Sequence, residues 1–306
     1  MKIESITHKF GSERITNKDL INQKTSKNLL NRIGIETRYR CSKNENVIDL
    51  ASQAFQELVG EENCNPDFLI GVTQTSPVFF PHLSAFVQGE TLKHHIGSFD
   101  INLGCSGFVY TLIVLESMME KNICKKPVII CADSYNKYLN RSDNSSYLLF
   151  SDAAVAISFS NEKSIKILAS DLGTDGTGAN NLILKKDELN NPEIYMNGPA
   201  VMLFTLNKVV KSVKKVLTES NLKIDNIDFF LFHQASKIVL DELRSKLKID
   251  QAKMPSNLRD IGNTVSCTIP LLIKELKSKE ELKTGNKILL SGFGVGLSWA
   301  TCIIEV

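Results

Sequence analysis

One passage of this chain occurs twice. Asn65-Pro66-Asp67-Phe68-Leu69-Ile70-Gly71-Val72 is echoed, about 160 residues later, by Asn226-Ile227-Asp228-Phe229-Phe230-Leu231-Phe232-His233. Each is a short apolar run led by Asn-x-Asp, the pattern of a buried strand. Each follows a helical stretch. In the first, Val47, Leu50, Ala51, Ala54, Phe55 and Leu58 recur at spacings of three and four; in the second, Val201, Phe204, Val209, Val213, Val216 and Leu217 do so. Further on, each half turns through small residues into an apolar helix. The first turn is Gly104-Cys105-Ser106-Gly107, the second Gly262-Asn263-Thr264. Apolar strands follow, Pro127 to Ala132 and Lys287 to Ser291. Strands alternating with helices build parallel sheets covered by helices. The 306 residues suit two units of about 150. The expectation is a duplicated α/β unit, set against generic α/β alternation with a chance Asn-x-Asp match.

Composition narrows the function. With 42% hydrophobic and 23% charged residues, the chain is ordinary globular material rather than a disordered scaffold. Its 36 Lys plus Arg stand against 34 Asp plus Glu, a net charge of +2. Binding nucleic acid over the whole surface needs a larger surplus of cations. No apolar run approaches the ~20 residues that cross a bilayer, and Met-Lys-Ile-Glu-Ser lacks the apolar region of a signal peptide. Seven cysteines are scattered, with no C-x-x-C pair, so neither a disulfide framework nor a zinc or redox motif is expected. This reads as a cytoplasmic protein in which one thiol can be kept reactive.

Cys105 stands at the turn into a helix, where free amide groups and the helix dipole favour an anion. A thiolate would be stabilised there, and the thiolate is the nucleophile. Lone cysteines are also common packing residues, so the residue alone leaves both uses open. His233 ends an apolar strand, at the edge where open α/β sheets place ligands; it is a site residue or a core histidine bonded to backbone. Asn263 falls where Cys105 falls in the first half. It serves the turn or donates to a developing oxyanion. Gly292-Phe293-Gly294-Val295-Gly296 superficially suggests a dinucleotide loop. Only ten residues follow Gly296, too few for the helix and returning strand of such a unit. Close approach of backbone to a site is the better use of these glycines.

Taken together, these segments resemble the β-ketoacyl-acyl-carrier-protein synthases of type III, over nearly the whole chain. The anchors are Asn102-Leu103-Gly104-Cys105-Ser106-Gly107-Phe108, Phe232-His233-Gln234-Ala235, Gly262-Asn263-Thr264 and Gly292 to Leu297. Arg32-Ile33-Gly34-Ile35, Phe80-Pro81, Phe150-Ser151-Asp152-Ala153 and Met196-Asn197-Gly198 support them. The resemblance implies a thiolase-like fold, two pseudo-symmetric βαβαβαββ halves in an αβαβα sandwich. The halves would be residues 1–165, carrying the cysteine, and 166–306, carrying histidine and asparagine. It implies that Cys105 is acylated by a thioester. His233 and Asn263 would bind the carbonyl of a malonyl carrier and stabilise the enolate left by decarboxylation, which attacks the acyl-cysteine. It implies backbone oxyanion donors at Cys105 and Val295, where the family usually has Gly. Substrate-binding positions would be Arg32, Phe80, Phe204, Gly198, Ser236, Gly294 and Gly296. No metal or cofactor is implied beyond acyl-CoA or acyl carrier and malonyl carrier as substrates. The implied partners are acyl carrier protein and a second copy, with Phe80 closing the partner's acyl pocket.

Some positions depart from the family. Its coenzyme A site stacks adenine between a tryptophan and an arginine, but the only tryptophan is Trp299. Arg32 matches one family arginine, whereas Asn144 stands at the second. The carrier-docking basic positions fall at Leu203 and Ile238. Lys237, Arg244 and Lys246, or the face of Lys208, Lys211 and Lys215, are the substitutes, unless that face is merely solvated. These departures keep a second reading open, acyl transfer to an amine or hydroxyl in a specialised pathway.

Overall fold

The computed structural model describes residues 1–20, 26–60, 64–162, 164–187 and 189–306. The first half runs β1 (Lys2–Phe10), α1 (Val47–Gly60), β2 (Phe68–Val72), α2 (Leu83–Thr91), β3 (Gly97–Ile101), α3 (Gly107–Glu120), β4 (Pro127–Asp133) and β5 (Ala153–Ser160). The second runs β6 (Lys166–Thr174), α4 (Gly198–Glu219), β7 (Phe229–Phe232), α5 (Lys237–Leu247), α6 (Thr268–Ser278), β8 (Lys287–Gly294) and β9 (Ser298–Glu305). The sheets are ordered β1-β5-β4-β2-β3 and β7-β8-β9-β6. In each, the strands joined through helices are parallel and the closing hairpin is antiparallel.

Side-chain alternation makes the layers. On β4, Val128, Ile130 and Ala132 meet the stripe of α1, Leu50, Ala54, Phe55 and Leu58 among them. Ile129 and Cys131 point the other way, into a core shared with Phe108 and Leu112 of α3, Ile269 and Leu272 of α6, and Ile288 and Leu290 of β8. Leu289 and Phe230 turn outward onto Val209 and Val213 of α4 and Leu243 of α5. The result is helix, sheet, helix, sheet, helix. Strands covered on both faces read as unbroken apolar runs, and each fully buried Leu or Phe adds about 1.5–3 kcal/mol.

The repeat is physical as well as textual. Phe68 pairs with Pro127 and Phe229 with Ile288, one register carried over by 161 residues (68 to 229, 127 to 288). The echoed aspartates do the same work. Asp67 accepts from the amides of Lys125 and Lys126, at 2.7 and 2.9 Å, and Asp228 from that of Lys287, at 2.7 Å. Each carboxylate ties down the start of the neighbouring parallel strand. At the ends of α3 and α6 the offset is 158: Asn122 and Glu280 both take left-handed backbone, at φ of 57° and 56°. That offset carries Cys105 onto Asn263 (105 to 263).

The halves are not identical. The first completes βαβαβαββ, while the second lacks its third strand among the described residues. Its chain passes instead through a 3-10 turn at Gln251–Lys253 and a short helix at Leu258–Ile261. Pro255, between them, has no N–H to give a sheet edge.

Candidate active site

Cys105 lies between β3 and α3, two residues before the first helical residue, and is 5% exposed. The glycines around it are there for contact. A Cβ on Gly292 would stand 2.4 Å from the Cys105 carbonyl oxygen, and one on Gly294 would stand 3.0 Å from Sγ. β8 therefore lies directly against the cysteine, and this glycine run is strand rather than dinucleotide loop. Burial pushes the Cys105 thiol well above its usual range, and the nearby Asp133 pushes it further. The helix start that favours a thiolate in the sequence is therefore opposed by desolvation in the fold.

His233 follows β7. Its amide donates to the Ser291 carbonyl at 2.9 Å, and its ring packs edge-on against Phe293 with centroids 5.5 Å apart. Nδ1 stands 2.8 Å from Thr268 Oγ1 at the start of α6. Burial lowers its pKa to about 3, so the imidazole is neutral at physiological pH. Asn263 is held by its backbone: its amide donates to the Leu149 carbonyl (3.1 Å) and its carbonyl accepts from Ser151 (2.8 Å). The Val265 amide donates to its side-chain Oδ1 at 3.0 Å. Val265, a β-branched residue, takes φ of 54° to do so, a conformation that costs about 1–3 kcal/mol and persists only where its surroundings enforce it.

Cys105, His233 and Asn263 line one cavity, together with Gly198, Ser236 and Gly294 of the expected substrate positions. Residues 201, 202 and 205 of α4 continue its wall from Gly198, one helix face at spacings of three, four and seven. Phe204 falls off that face. It packs in the hydrophobic cluster around Cys105, with its ring 6.0 Å from that of Trp299. Arg32 is exposed in the last turn of the Lys27–Ile33 helix, Phe80 is 85% exposed, and neither they nor Gly296 line the cavity. Val295 lines a second chamber with Gln74, Asn102, Tyr135, Tyr138 and Ile194. Leu182 is common to both chambers, carried on the Leu182–Lys186 and Pro192–Met196 ribbon.

Two residues at the site had no signal in the sequence, because each stands in an apolar stretch. Thr268 is one. The other is Asp133, at the end of β4, which accepts from the Gln74 amide (2.9 Å), from Thr75 Oγ1 (3.3 Å) and from the hydroxyl and amide of Ser266. It ties a loop of the first half to the turn that carries Asn263. Burial raises its pKa to about 6. Among the described residues no three His, Cys, Asp or Glu stand together as a metal site, and no helix is long and apolar enough to cross a membrane.

The likeness to known proteins runs the length of the chain. The model of 3-oxoacyl-[acyl-carrier-protein] synthase III matches residues 99–176, and that of its C-terminal part residues 217–306. The β-ketoacyl-[acyl-carrier-protein] synthase III of Streptococcus uberis is 33% identical, covering 100% of this chain and 99% of its own. That of Clostridium tetani is 31% identical over 90% of this chain and 88% of its own. A solved 3-oxoacyl-(acyl-carrier-protein) synthase III superposes with a TM-score of 0.90 at 32% identity, covering 99% of both chains. The Aquifex aeolicus enzyme does so at 0.90 and 26%, covering 100% of this chain and 99% of its own. Fold, sequence and site together place the chain in the β-ketoacyl-[acyl-carrier-protein] synthase III family.

Proposed function

We propose a division of labour between the halves, residues 1–165 and 166–306, of this β-ketoacyl-acyl-carrier-protein synthase III. Cys105 attacks an acyl thioester: a new C–S bond forms, and the donor's thiol leaves with the proton. The malonyl group of a carrier protein then enters with its thioester carbonyl between His233 and Asn263. Its C–C bond to the carboxylate breaks, carbon dioxide leaves, and negative charge gathers on the carbonyl oxygen. The enolate carbon attacks the acyl-cysteine carbonyl. A β-ketoacyl thioester forms, and Cys105 is released to take up a proton. The backbone amides of Cys105 and Val295 serve the tetrahedral oxyanion. Side chains and substrates supply every bond change, so no resident cofactor is needed. A soft nucleophile suits the covalent step, and donors fixed before charge appears lower its barrier most.

The observation that carries this reading is the common cavity of Cys105, His233 and Asn263. Docking of the carrier is assigned to α5. On α4, Lys208 and Lys215 already pair with Asp175 (3.2 Å) and Asp171 (2.6 Å). Beside α5, Lys237 and Arg259 pair with Asp241 and Glu36, and Arg244, in the same groove, is the cation that suits an acidic carrier. The exposed Phe79 and Phe80 suit a homodimer, in a cytoplasmic enzyme. Intact-protein mass spectrometry tests the chemistry. Acyl-CoA or acyl carrier should add mass at Cys105, and malonyl carrier should remove it with release of carbon dioxide. An adduct that ignores malonyl carrier would overturn the assignment.

A further inference from the structure

The turn from Asn263 to Thr268 decides which way two side chains point their protons. For Asn263 the choice is made by backbone. The Val265 amide occupies Oδ1, so Nδ2 is the end left to donate. His233 has no backbone donor to make that choice. Its Nδ1 faces the Thr268 hydroxyl at 2.8 Å, with the Val265 carbonyl also within reach of the ring. The same hydroxyl is also placed to donate to that carbonyl, at 3.1 Å. Thr268 is 1% exposed, so water does not compete for these contacts.

A neutral imidazole has one N–H to place, and a hydroxyl has one proton to give. If Thr268 gives its proton to the Val265 carbonyl, Nδ1 carries the ring proton and Nε2 turns a lone pair to the cavity. If it gives the proton to Nδ1, Nε2–H faces the cavity as a donor. The ring contact is a hydrogen bond in either arrangement, and what separates the two is which end of the imidazole donates to the cavity. We propose that Thr268 is a positioning residue, whose hydroxyl donates to His233 Nδ1 and holds the imidazole as its Nε2–H tautomer. The inference rests on the reading of His233 as a donor to the malonyl thioester. A lone pair in that place would oppose the oxygen on which charge develops. Acylation of Cys105 makes no such demand of Nε2, so the two half-reactions should respond differently.

The test is nitrogen NMR of histidine-labelled full-length protein, with rates for both half-reactions. In the wild type and in Thr268→Ser, His233 Nδ1 should be unprotonated. In Thr268→Val the ring should shift to Nδ1–H, donating to the Val265 carbonyl. Condensation by Thr268→Val should fall about 100-fold, the scale of one lost oxyanion donor. Thr268→Ser should restore it to within about threefold, and acylation should change less than about threefold in either variant. A wild-type ring protonated at Nδ1 overturns the proposal whatever the activity, and that spectrum needs no variant to fold. A tautomer shift in Thr268→Val without loss of condensation upholds the hold of Thr268 on the ring. It overturns the role of His233 instead, so the two failures are distinct.

Discussion

The turn before α3 and the turn before α6 occupy matching places in the two halves, and they are built in opposite ways. The first carries few side-chain hydrogen bonds, that between Ser106 and Ser298 at 2.8 Å being its main one. Cys105 lies between glycines, under a strand that brings backbone rather than side chains against it. The second is dense with hydrogen bonds: Asn263, Val265, Ser266 and Thr268 each hold a partner. A bond-making atom needs approach, so its surroundings are stripped. A donor that must not move needs orientation, so its surroundings are braced. The two matching turns meet on one cavity, and the proposed reaction gives each a different use.

Removing the first turn's single atom should have the largest effect. Cys105→Ser is expected to abolish the acyl adduct, since a hydroxyl is the weaker nucleophile by several kcal/mol of barrier, about three or more. Mass spectrometry after acyl-CoA incubation reads it. Next, His233→Ala should slow condensation by about 10²–10³-fold while slowing acylation much less. Equal losses in both half-reactions would end the separation of the nucleophile from the donors that the second turn helps to orient. Gly292→Ala should lower stability by about 1–3 kcal/mol, because its Cβ meets backbone at Cys105. Urea unfolding measures this, and an unchanged midpoint would mean that β8 can yield.

The last effect is confined to acid pH and has opposite signs in the two halves. Asp133 has its folded pKa raised to about 6 from 3.8, so the folded state holds its proton longer. Its contribution to stability is full at low pH and is lost as pH rises through that window. His233 has its folded pKa lowered to about 3 from 6.5. The unfolded chain protonates first, so its contribution is lost as pH falls from about 6.5 toward 3. Between pH 4 and 6 the two offset each other. Asp133→Asn should therefore make stability rise more steeply with pH there, and His233→Gln should make it fall, each by at most about 3 kcal/mol. Parallel slopes in the two variants would show that neither group titrates as described.

Most of the frame was legible because strands covered on both faces leave no polar residue in the run. Pro127 to Ala132 and Phe229 to Phe232 could hardly be read otherwise. The Asn-x-Asp echo was visible as text, but its cause, a carboxylate clamping the next strand, lies in the pairing. The missing third strand was not legible, since loss of an edge leaves ordinary loop residues behind. Cys105, His233 and Asn263 were found by type and place, and they do share a cavity. Phe204, Arg32, Phe80 and Gly296 were carried over by position, and they stand off its wall. Thr268 and Asp133 gave no sign, because a single polar residue in an apolar stretch declares nothing until its partner across the core is known. For Cys105 only half of the electrostatics was legible: a helix start can be read from sequence, and the desolvation that opposes it cannot.

The glycines of β8 have one more consequence. A protein under attack by a reagent that alkylates its nucleophile commonly escapes by enlarging a neighbouring side chain. Along this wall that route is narrow, since a Cβ at Gly292 would stand 2.4 Å from the Cys105 carbonyl oxygen and one at Gly294 3.0 Å from Sγ. Resistance to a thiol-directed inhibitor would arise more readily on the other walls, from the ribbon of Leu182 and Met196 or from the face of α4.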